Sequence, residues 1–327
     1  MGSLAKMKDN AIPAQSVPKA PVVIVCAADD HYSLPLAVML ESLSSHASLS
    51  DRIDVHIVDC GISGQARQRI NSQARPNLHF HWRSSIRSPD IGDPFWGHVS
   101  GATYERLIIE KYLPDDTTFA LWLDCDLLVL DDITTLFQRS LNGHTMLAVR
   151  DPFIPCVSSP FGVHNWRELG LTSKQPYFNA GVMLIDMNHW RASEIASRAG
   201  LYIQRYGKKV HFNDQEALNA VIGANWTPLN DRWNYSANPF HAKRQNLRGN
   251  KPAIIHFAGR VKPWDLPDLG ASQNLYFQYL DKTSWHGTRP GRSAGNFLLS
   301  WYVRSNLRKL TYWLENLHLR LRHLLGI

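Results

Sequence analysis

The feature that most constrains the fold is a series of short apolar segments separated by segments of helical character. Residues 22–28 (VVIVCAA) are continuously apolar, as in a strand buried on both faces of a parallel sheet. Residues 53–58 and 78–80 predict two more strands, and the intervening residues 34–44 and 65–74 predict helices. Such alternation predicts βαβ units and an open parallel sheet, and so an α/β fold.

The middle of the chain continues this pattern and adds a long loop. Residues 119–123 predict a strand that ends directly in Asp124-Cys125-Asp126. Residues 152–176 contain several prolines and glycines and predict a loop of the length that often serves as a functional lid. The remaining predictions are a helix over 102–112, strands over 178–185 and 253–257, a helix capped by Asn188, and a helix capped by Asn213 or Asp214 that ends at Ile222.

The length of 327 residues fits one large domain with small appendages. We predict a flexible leader over residues 1–20, a main domain over 21–290 and a tail over 291–327. The net charge of +7 suits a nucleic acid, an anionic membrane surface or a phosphorylated substrate. No run of about 18 apolar residues predicts a transmembrane helix, and the four cysteines lack the spacing of a metal site.

The tail has a composition of its own. Its tryptophans and leucines recur at roughly helical spacing, and basic side chains fill the gaps. A basic amphipathic helix of this kind suits the plane of an anionic membrane, although packing on the main domain with a solvated basic face explains the same pattern. From residue 295 onward, the Lys and Arg residues are Arg304, Arg308, Lys309, Arg320 and Arg322, with Glu315 as the only acid.

Asp124 and Asp126 carry the main chemical signal. Ligands of open α/β sheets bind beyond the carboxyl ends of strands, where these two carboxylates can face the same way. Hard oxygen ligands suit Mg²⁺ or Mn²⁺, which bridge diphosphates well. By itself the pair could equally start a turn or cap a helix. Phosphatases of the haloacid dehalogenase type share the motif, but there it follows the first strand and continues with Thr or Val, whereas Leu127 follows here.

Three further segments place polar groups at predicted element ends. His256 is a suitable third ligand for Mn²⁺, Gly259 would let backbone approach a phosphate, and Lys262 offers a compact positive charge. A core histidine followed by a surface lysine is the alternative. Asn179 begins a strand and can bind sugar hydroxyls or cap a turn, while Asp214 and Gln215 begin a helix and can point into the same pocket or serve the helix terminus.

Taken together, these motifs resemble glycosyltransferase family 8, and most closely its bacterial galactosyltransferases and glucosyltransferases of lipopolysaccharide or lipooligosaccharide. The resemblance extends over about residues 22–265. The shared blocks, in chain order, are AADDHY at 27–32, VDCGIS at 58–63, TYERL at 103–107, LDCD at 123–126, FNAGV at 178–182, NDQ at 213–215 and HFAGRVKPW at 256–264.

The resemblance implies a fold of the nucleotide-diphospho-sugar transferase type (GT-A-like), with a Rossmann-like mixed sheet, and makes residues 21–290 the catalytic domain. It also implies a role for individual residues. Asp124, Asp126 and His256 match the Mn²⁺ ligands, with Mg²⁺ as the other candidate ion. Asp29 and Tyr32 match positions that bind uracil and ribose, and His98 and Arg106 match other positions of the donor site. Asn179, Asp214 and Gln215 match positions around the transferred sugar. Gly259 and Lys262 match positions that contact the diphosphate. His31 departs from the pattern, since several galactosyl members carry Asn there.

The implied activity is retaining transfer of galactose or glucose from a UDP-sugar to a glycan or glycolipid, with an α-linkage as product. Gln215, Asp214 and Lys262 are the expected catalytic residues. Retention by two displacements needs a nucleophile, for which Gln215 and Glu216 are the candidates; a front-face route needs none and is preferred. We expect a cytoplasmic protein, peripheral on a membrane, with no nucleic-acid partner. The alternatives are a non-catalytic sugar-nucleotide or carbohydrate-binding protein of this fold, or a phosphatase.

Overall fold

The computed structural model describes residues 21–86, 101–207, 209–210, 212–238, 245, 247, 249–267, 269–291 and 293–304. The predicted leader over 1–20, His98 and the tail beyond residue 304 lie outside these residues. The α-helices are α1 (Ser33–His46), α2 (Gly64–Asn71), α3 (Met187–Ala192), α4 (Ile195–Tyr206), α5 (Asn213–Ile222), α6 (Ala271–Leu280) and α7 (Ala294–Arg304).

A seven-stranded sheet in the order β3-β2-β1-β4-β7-β6-β8 forms the centre of the molecule. Strands β3, β2, β1 and β4 are mutually parallel, as predicted, but β7 runs antiparallel to both β4 and β6. The sheet is therefore mixed rather than all parallel. Its strands are β1 (Val22–Ala28), β2 (Ile53–Asp59), β3 (Leu78–Ser84), β4 (Phe119–Leu123), β6 (Met146–Arg150), β7 (Phe178–Asp186) and β8 (Trp226–Pro228).

A second, three-stranded sheet stands beside the first and brings a late part of the chain to the end of β4. It consists of β5 (Leu127–Val129), β10 (Ile254–His256) and β9 (Tyr235–Ser236), in that order across the sheet. Because β10 runs antiparallel to β5, His256 pairs with Leu127, directly after Asp126. The predicted last strand thus exists, but it belongs to this small sheet.

Helices cover both faces of the large sheet. Leu36, Leu40 and Leu43 form one face of α1 and are at most 1% exposed, and each such side chain contributes roughly 2 kcal/mol through burial. α1, α2 and α6 cover one face, while α3, α4 and α5 cover the other. Trp285, which follows α6 in the chain, is also buried in the hydrophobic core on the side of α1, α2 and α6. The folded domain therefore extends past β10, the last strand in the sequence.

Three local predictions differ from the structure. The predicted helix over 102–112 is a 3-10 segment, Gly101–Tyr112, with non-helical backbone at Ile108. The cap of α3 is Asp186 rather than Asn188, because Asp186 ends β7 and its carboxylate accepts from the backbone N–H groups of Asn188 and His189. Phe212 occupies the N-cap position of α5, so Asn213 and Asp214 lie inside its first turn.

Candidate metal centre

The candidate site lies at one edge of the large sheet, where β1 and β4 end and β7 begins. Parallel pairing of β1 with β4 brings Asp29 and Asp124 out at the same edge. Antiparallel pairing of β7 with β4 places Gly181 beside Asp124, whose backbone N–H donates to the Gly181 carbonyl at 2.9 Å. The Phe257 N–H donates to the Asp126 carbonyl at 3.0 Å, which holds the end of β10 against the same edge.

Asp124, Asp126 and His256 converge on one point. Nε2 of His256 lies 3.3 Å from Oδ1 of Asp126 and 3.8 Å from Oδ2 of Asp124. One ligand atom from each residue lies within 4.8 Å of the others. Ligands about 2.1 Å from an octahedral ion stand roughly 3 Å apart, so these side chains fit a small divalent cation after minor adjustment. Two carboxylates and an imidazole suit Mn²⁺ or Mg²⁺.

Gly181 leaves the space in which these groups meet. A methyl group on its Cα would overlap Cε1 of His256, and it would lie 2.9 Å from Nδ1 of that ring and 3.0 Å from Oδ2 of Asp124. Glycine in a strand interior often marks such a close approach. The close approach of strand β7 to the cluster therefore requires glycine at this position.

Arg106 connects two of the acidic residues. Its Nη2 lies 2.8 Å from Oδ1 of Asp124, and its Nε lies 2.8 Å from Oδ2 of Asp214. Nη1 also donates to the Ala180 carbonyl at 2.8 Å. The indole N–H of Trp122 also donates to Oδ1 of Asp124, at 2.8 Å. With Oδ1 held in this way, Oδ2 of Asp124 is directed toward His256. The 3-10 segment Gly101–Tyr112, which contains Arg106, thereby orients a carboxylate of the metal cluster.

Lys262 brings a second cation to the cluster. Its ammonium group donates to Oδ2 of Asp126 and to the Phe257 carbonyl, and only 8% of the residue is exposed. Burial by itself would raise the pKa of Asp126, but the adjacent charge of Lys262 outweighs it and holds that pKa well below its usual range. Burial raises the pKa of Asp214, even though Arg106 and Thr103 act in the opposite direction.

Half-buried amide groups form the wall beside the metal cluster. Asn179 donates to Oδ2 of Asp151 at 3.0 Å and accepts from the Asn234 side chain at 2.8 Å. Gln215 donates to the same Asp151 oxygen at 3.1 Å, and its Oε1 accepts from the Ala180 N–H at 3.0 Å. Both predicted sugar-side amides therefore have fixed orientations.

The predicted nucleoside residues lie on the β1 side. Oδ1 of Asp29 accepts from the Tyr32 N–H at 3.1 Å, which closes a 3-10 turn over Asp30–Tyr32. The Tyr32 ring meets Trp264 edge to face with centroids 6.0 Å apart. Burial, and then the charges of Asp126 and its neighbours, raise the Tyr32 pKa, so the phenol stays neutral at physiological pH. Gly259 has a φ of 90°, a conformation that favours glycine.

Glu216 lies elsewhere. It is fully buried, and its carboxylate accepts from the His164 N–H at 2.8 Å and from the Tyr202 hydroxyl at 3.1 Å. These partners belong to the 152–176 loop and to α4, which contribute nothing to the metal cluster. Glu216 is therefore an internal anchor, and the structure gives it no position from which to attack a sugar.

Sequence reasoning missed Asp151, Asn234 and Gly181 as site residues. Asp151 directly follows the buried strand β6, so the signal that singled out Asp124 was present there as well. Gly181 stood within a recognised block but had no assigned role. Asn234 ends a short 3-10 turn, Asp231–Asn234, and no local pattern marks it. Its place depends on how the small sheet packs against β7.

Comparisons with known proteins agree with this geometry. The sequence profile of the family described as glycosyl transferase family 8 matches residues 23–266. General stress protein A of Bacillus subtilis is 27% identical over 289 residues, which cover 80% of this chain and 94% of that protein. Glycosyltransferase GlyF of Streptococcus pneumoniae is 26% identical over 312 residues, covering 92% of this chain and 70% of that protein.

A solved structure supports the fold assignment. The galactosyltransferase LgtC, crystallised with donor and acceptor sugar analogues, superimposes with a TM-score of 0.68 at 27% identity. The match covers 84% of this chain and all of the LgtC chain. The shared architecture confirms the predicted fold of the nucleotide-diphospho-sugar transferase type.

Proposed function

Since the chain belongs to glycosyl transferase family 8 and is a glycosyltransferase, we propose that it transfers galactose or glucose from a UDP-sugar to a glycan or glycolipid with retention of configuration, in an Mn²⁺-dependent reaction. The convergence of Asp124, Asp126 and His256 beside Lys262 is the observation that carries the proposal. The catalytic domain would span residues 21–290. A UDP-hexose is favoured because LgtC, a galactosyltransferase of known structure, matches this chain over nearly its whole domain.

The donor set fits a divalent ion, with Asp124, Asp126 and His256 as the ligands. When bound, such an ion supplies Lewis-acid neutralisation of a leaving diphosphate. Mn²⁺ accepts imidazole more readily than Mg²⁺, which favours Mn²⁺ here. Lys262 keeps Asp126 ionised, and Arg106 holds Asp124 and Asp214 in place. These two cations balance two of the three carboxylates of Asp124, Asp126 and Asp214. A net charge of one negative unit therefore remains to attract a divalent cation.

Different residues around the cluster would bind different parts of the donor. Asp29 and Tyr32 would bind uracil and ribose, Arg106 would contribute to the donor site, and Gly259 and Lys262 would contact the diphosphate. On the resemblance alone, His98 would also contribute to the donor site. Asn179, Asp214 and Gln215 would surround the hexose. In the reaction, the bond between the anomeric carbon and the β-phosphate oxygen breaks while the acceptor oxygen bonds to that carbon. Lys262 then stabilises charge that grows on the diphosphate.

A front-face route accounts best for retention, with a diphosphate oxygen taking the acceptor proton. A double displacement needs a protein nucleophile on the opposite face of the sugar. Glu216 is occupied by His164 and Tyr202 in the interior. Gln215 has its amide oxygen on a backbone N–H and its amide nitrogen on Asp151, so it is better suited to holding a hydroxyl group than to attacking carbon.

The acceptor is proposed to be lipid-linked, because of the tail. In α7, Leu298, Leu299 and Trp301 are 64%, 47% and 52% exposed, and the sequence that follows is basic. No helix in the described part of the chain is long and apolar enough to cross a membrane. We therefore propose peripheral contact with an anionic cytoplasmic membrane face. Truncation after Gly291 should abolish flotation with phosphatidylglycerol vesicles; unchanged flotation would favour packing of the tail on the domain.

Release of UDP tests the activity. The full chain should release UDP from UDP-galactose or UDP-glucose with Mn²⁺ present, and EDTA should stop the release. A glycan or lipid-linked glycan acceptor should increase it, and the anomeric configuration of the product should be α. Binding of UDP without any turnover would favour the non-catalytic carbohydrate-binding alternative. Release of phosphate from a phosphomonoester without UDP release would favour the phosphatase.

A further inference from the structure

Four side chains connect the sugar side of the site to the metal side. Asp151 accepts from Asn179 at 3.0 Å, Asn179 accepts from Asn234 at 2.8 Å, and Oδ1 of Asn234 lies 2.8 Å from Nδ1 of His256. Asn234 is 3% exposed and His256 is 5% exposed. Water therefore has little access to the contact between Asn234 and His256, and this hydrogen bond must be satisfied within the protein.

The orientation of the Asn179 amide is fixed by two neighbours, one of which can only accept and one of which can only donate a hydrogen bond. Oδ1 of Asp151 is held by the backbone N–H groups of Phe153 and Ile154, both at 2.8 Å. An ionised carboxylate only accepts, so Asn179 must turn its NH₂ group toward Oδ2 of Asp151. At its other end, Oδ1 of Asn179 accepts from the Gly181 N–H at 3.0 Å, and a backbone amide only donates. Both neighbours impose the same orientation on Asn179.

That orientation carries over to His256. Because Asn179 presents an oxygen to Asn234, Asn234 must present its NH₂ group in return and direct its own oxygen at the imidazole. Nδ1 of His256 must then carry the proton. The neutral ring keeps its lone pair on Nε2, the atom that faces Asp124 and Asp126. A metal-ligating histidine depends on such a partner for its tautomer and ring orientation.

We propose that Asn234 is a positioning residue that fixes the metal-binding tautomer of His256 and couples it to the sugar-side amide of Asn179. The proposal rests on the metal site of the proposed function. As a consequence, the donor sugar and the metal ion contact the same network of hydrogen-bonded side chains, the sugar through Asn179 and the ion through His256. Loss of a partner of this kind lowers metal affinity roughly 10- to 100-fold.

Two substitutions at one position separate the two halves of this role. Asn234→Ala removes the acceptor for Nδ1 and the donor to Asn179. Asn234→Asp keeps an acceptor for Nδ1 but cannot donate to Asn179. We expect Asn234→Ala to weaken Mn²⁺ binding roughly 10- to 100-fold. Asn234→Asp should keep Mn²⁺ affinity within about threefold of the wild type and raise the KM for the UDP-sugar, because its carboxylate still holds the ring while Asn179 loses a partner.

The measurements are Mn²⁺ binding by electron paramagnetic resonance and the imidazole tautomer by long-range ¹H–¹⁵N NMR of the metal-free full chain. His256→Gln assigns the signal. The wild type should show the Nδ1–H tautomer, and Asn234→Ala should show a mixture. Asn77→Ala, a buried asparagine that donates to the Ser48 carbonyl, controls for loss of stability and should leave both readouts unchanged.

The outcomes distinguish the inference from the proposed function. A wild type that binds no Mn²⁺ would overturn the metal site itself, and with it the coupling. Wild-type Mn²⁺ binding that persists undiminished in Asn234→Ala, or an Nε2–H tautomer in the wild type, would overturn the inference alone. Equal loss of Mn²⁺ affinity in Asn234→Asp and Asn234→Ala would also overturn it, because the acceptor would then make no difference.

Discussion

Two clusters of the molecule contain aspartate and histidine side chains but orient their polar atoms differently. The metal cluster is formed by Asp124, Asp126 and His256. The β2–β3 cluster is formed by Asp54 and His56 on β2 and by His81 and Arg83 on β3. In the β2–β3 cluster, Nε2 of His81 meets Oδ1 of Asp54 at 3.1 Å, and Arg83 donates to Nδ1 of His56 at 3.3 Å.

The difference lies in how acceptors are distributed. Parallel register sets His56 beside His81, with ring centroids 4.9 Å apart and nearly parallel, so polar groups pair across the two strands. In the metal cluster, by contrast, two carboxylates and an imidazole lone pair point at one another. Such convergence of acceptors is unfavourable without a cation between them. An acidic residue near a histidine therefore indicates a metal site only where the carboxylate oxygen and the imidazole lone pair are directed at a common point.

The largest expected effect comes from removing one carboxylate in each cluster. Asp126→Asn should lower Mn²⁺ affinity by more than about 100-fold and abolish metal-dependent UDP release, since losing a ligand exceeds the effect of losing a ligand's partner. Asp54→Asn is the matched change, because Asp54 is 8% and Asp126 7% exposed. It should leave Mn²⁺ affinity unchanged. Isothermal titration with Mn²⁺ checks both, and equal losses in the two variants would erase the distinction between the clusters.

A smaller effect is expected from filling the space at Gly181. Gly181→Ala should weaken Mn²⁺ binding roughly tenfold or more, because the added methyl displaces His256, and overpacking should cost about 1–3 kcal/mol of unfolding free energy. Gly64→Ala is the control, since a methyl there meets nothing within 4 Å. Titration with Mn²⁺ and urea unfolding report the two effects. Wild-type affinity in Gly181→Ala would show that the ligands do not meet at that strand.

The smallest effect on activity is expected for His56→Gln, which should instead change how the free energy of unfolding depends on pH. Burial, with the nearby Arg83 and His81 charges, lowers the pKa of His56 from 6.5 to about 4. Between these values the unfolded chain binds a proton that the native chain does not, so stability falls as pH falls through this window. The loss amounts to roughly 3 kcal/mol. Activity at pH 7 should not change in His56→Gln.

Urea unfolding at several pH values between 7 and 4 measures this contribution. His56→Gln should lose less stability than the wild type over that range. His189→Gln, at a half-exposed histidine, should follow the wild type. An acid dependence in His56→Gln as steep as that of the wild type would contradict the assignment to His56.

Local pattern was sufficient to predict six of the ten described strands (β1, β2, β3, β4, β7 and β10) and the edge of the sheet at which the candidate site lies, but not β5, β6, β8 or β9. Apolar runs with acids at their ends are properties of neighbouring residues, so β1 and β4, together with Asp124 and Asp126, could be read directly. The strand end marked His256 as a candidate ligand, but joining it to Asp124 and Asp126 required the resemblance, because its strand pairs with β5 across more than a hundred residues of sequence.

What could not be predicted depends on long-range packing. The antiparallel entry of β7 brings Gly181 and Asn179 to the cluster, and the sequence of β7 reads the same in either direction of pairing. Asn234 acts from an irregular turn whose position is set by the small sheet. The 3-10 geometry around Arg106 is stabilised by ion pairs to Asp124 and Asp214, which lie in distant segments.

The most direct test of the metal site is diffraction near the manganese absorption edge from crystals of the full chain grown with Mn²⁺ and UDP. We predict an anomalous peak among Oδ2 of Asp124, Oδ1 of Asp126 and Nε2 of His256, within about 2.3 Å of each, with the UDP diphosphate beside it. Ordered UDP with no anomalous peak at these three atoms, or a peak bound by other residues, would contradict the account.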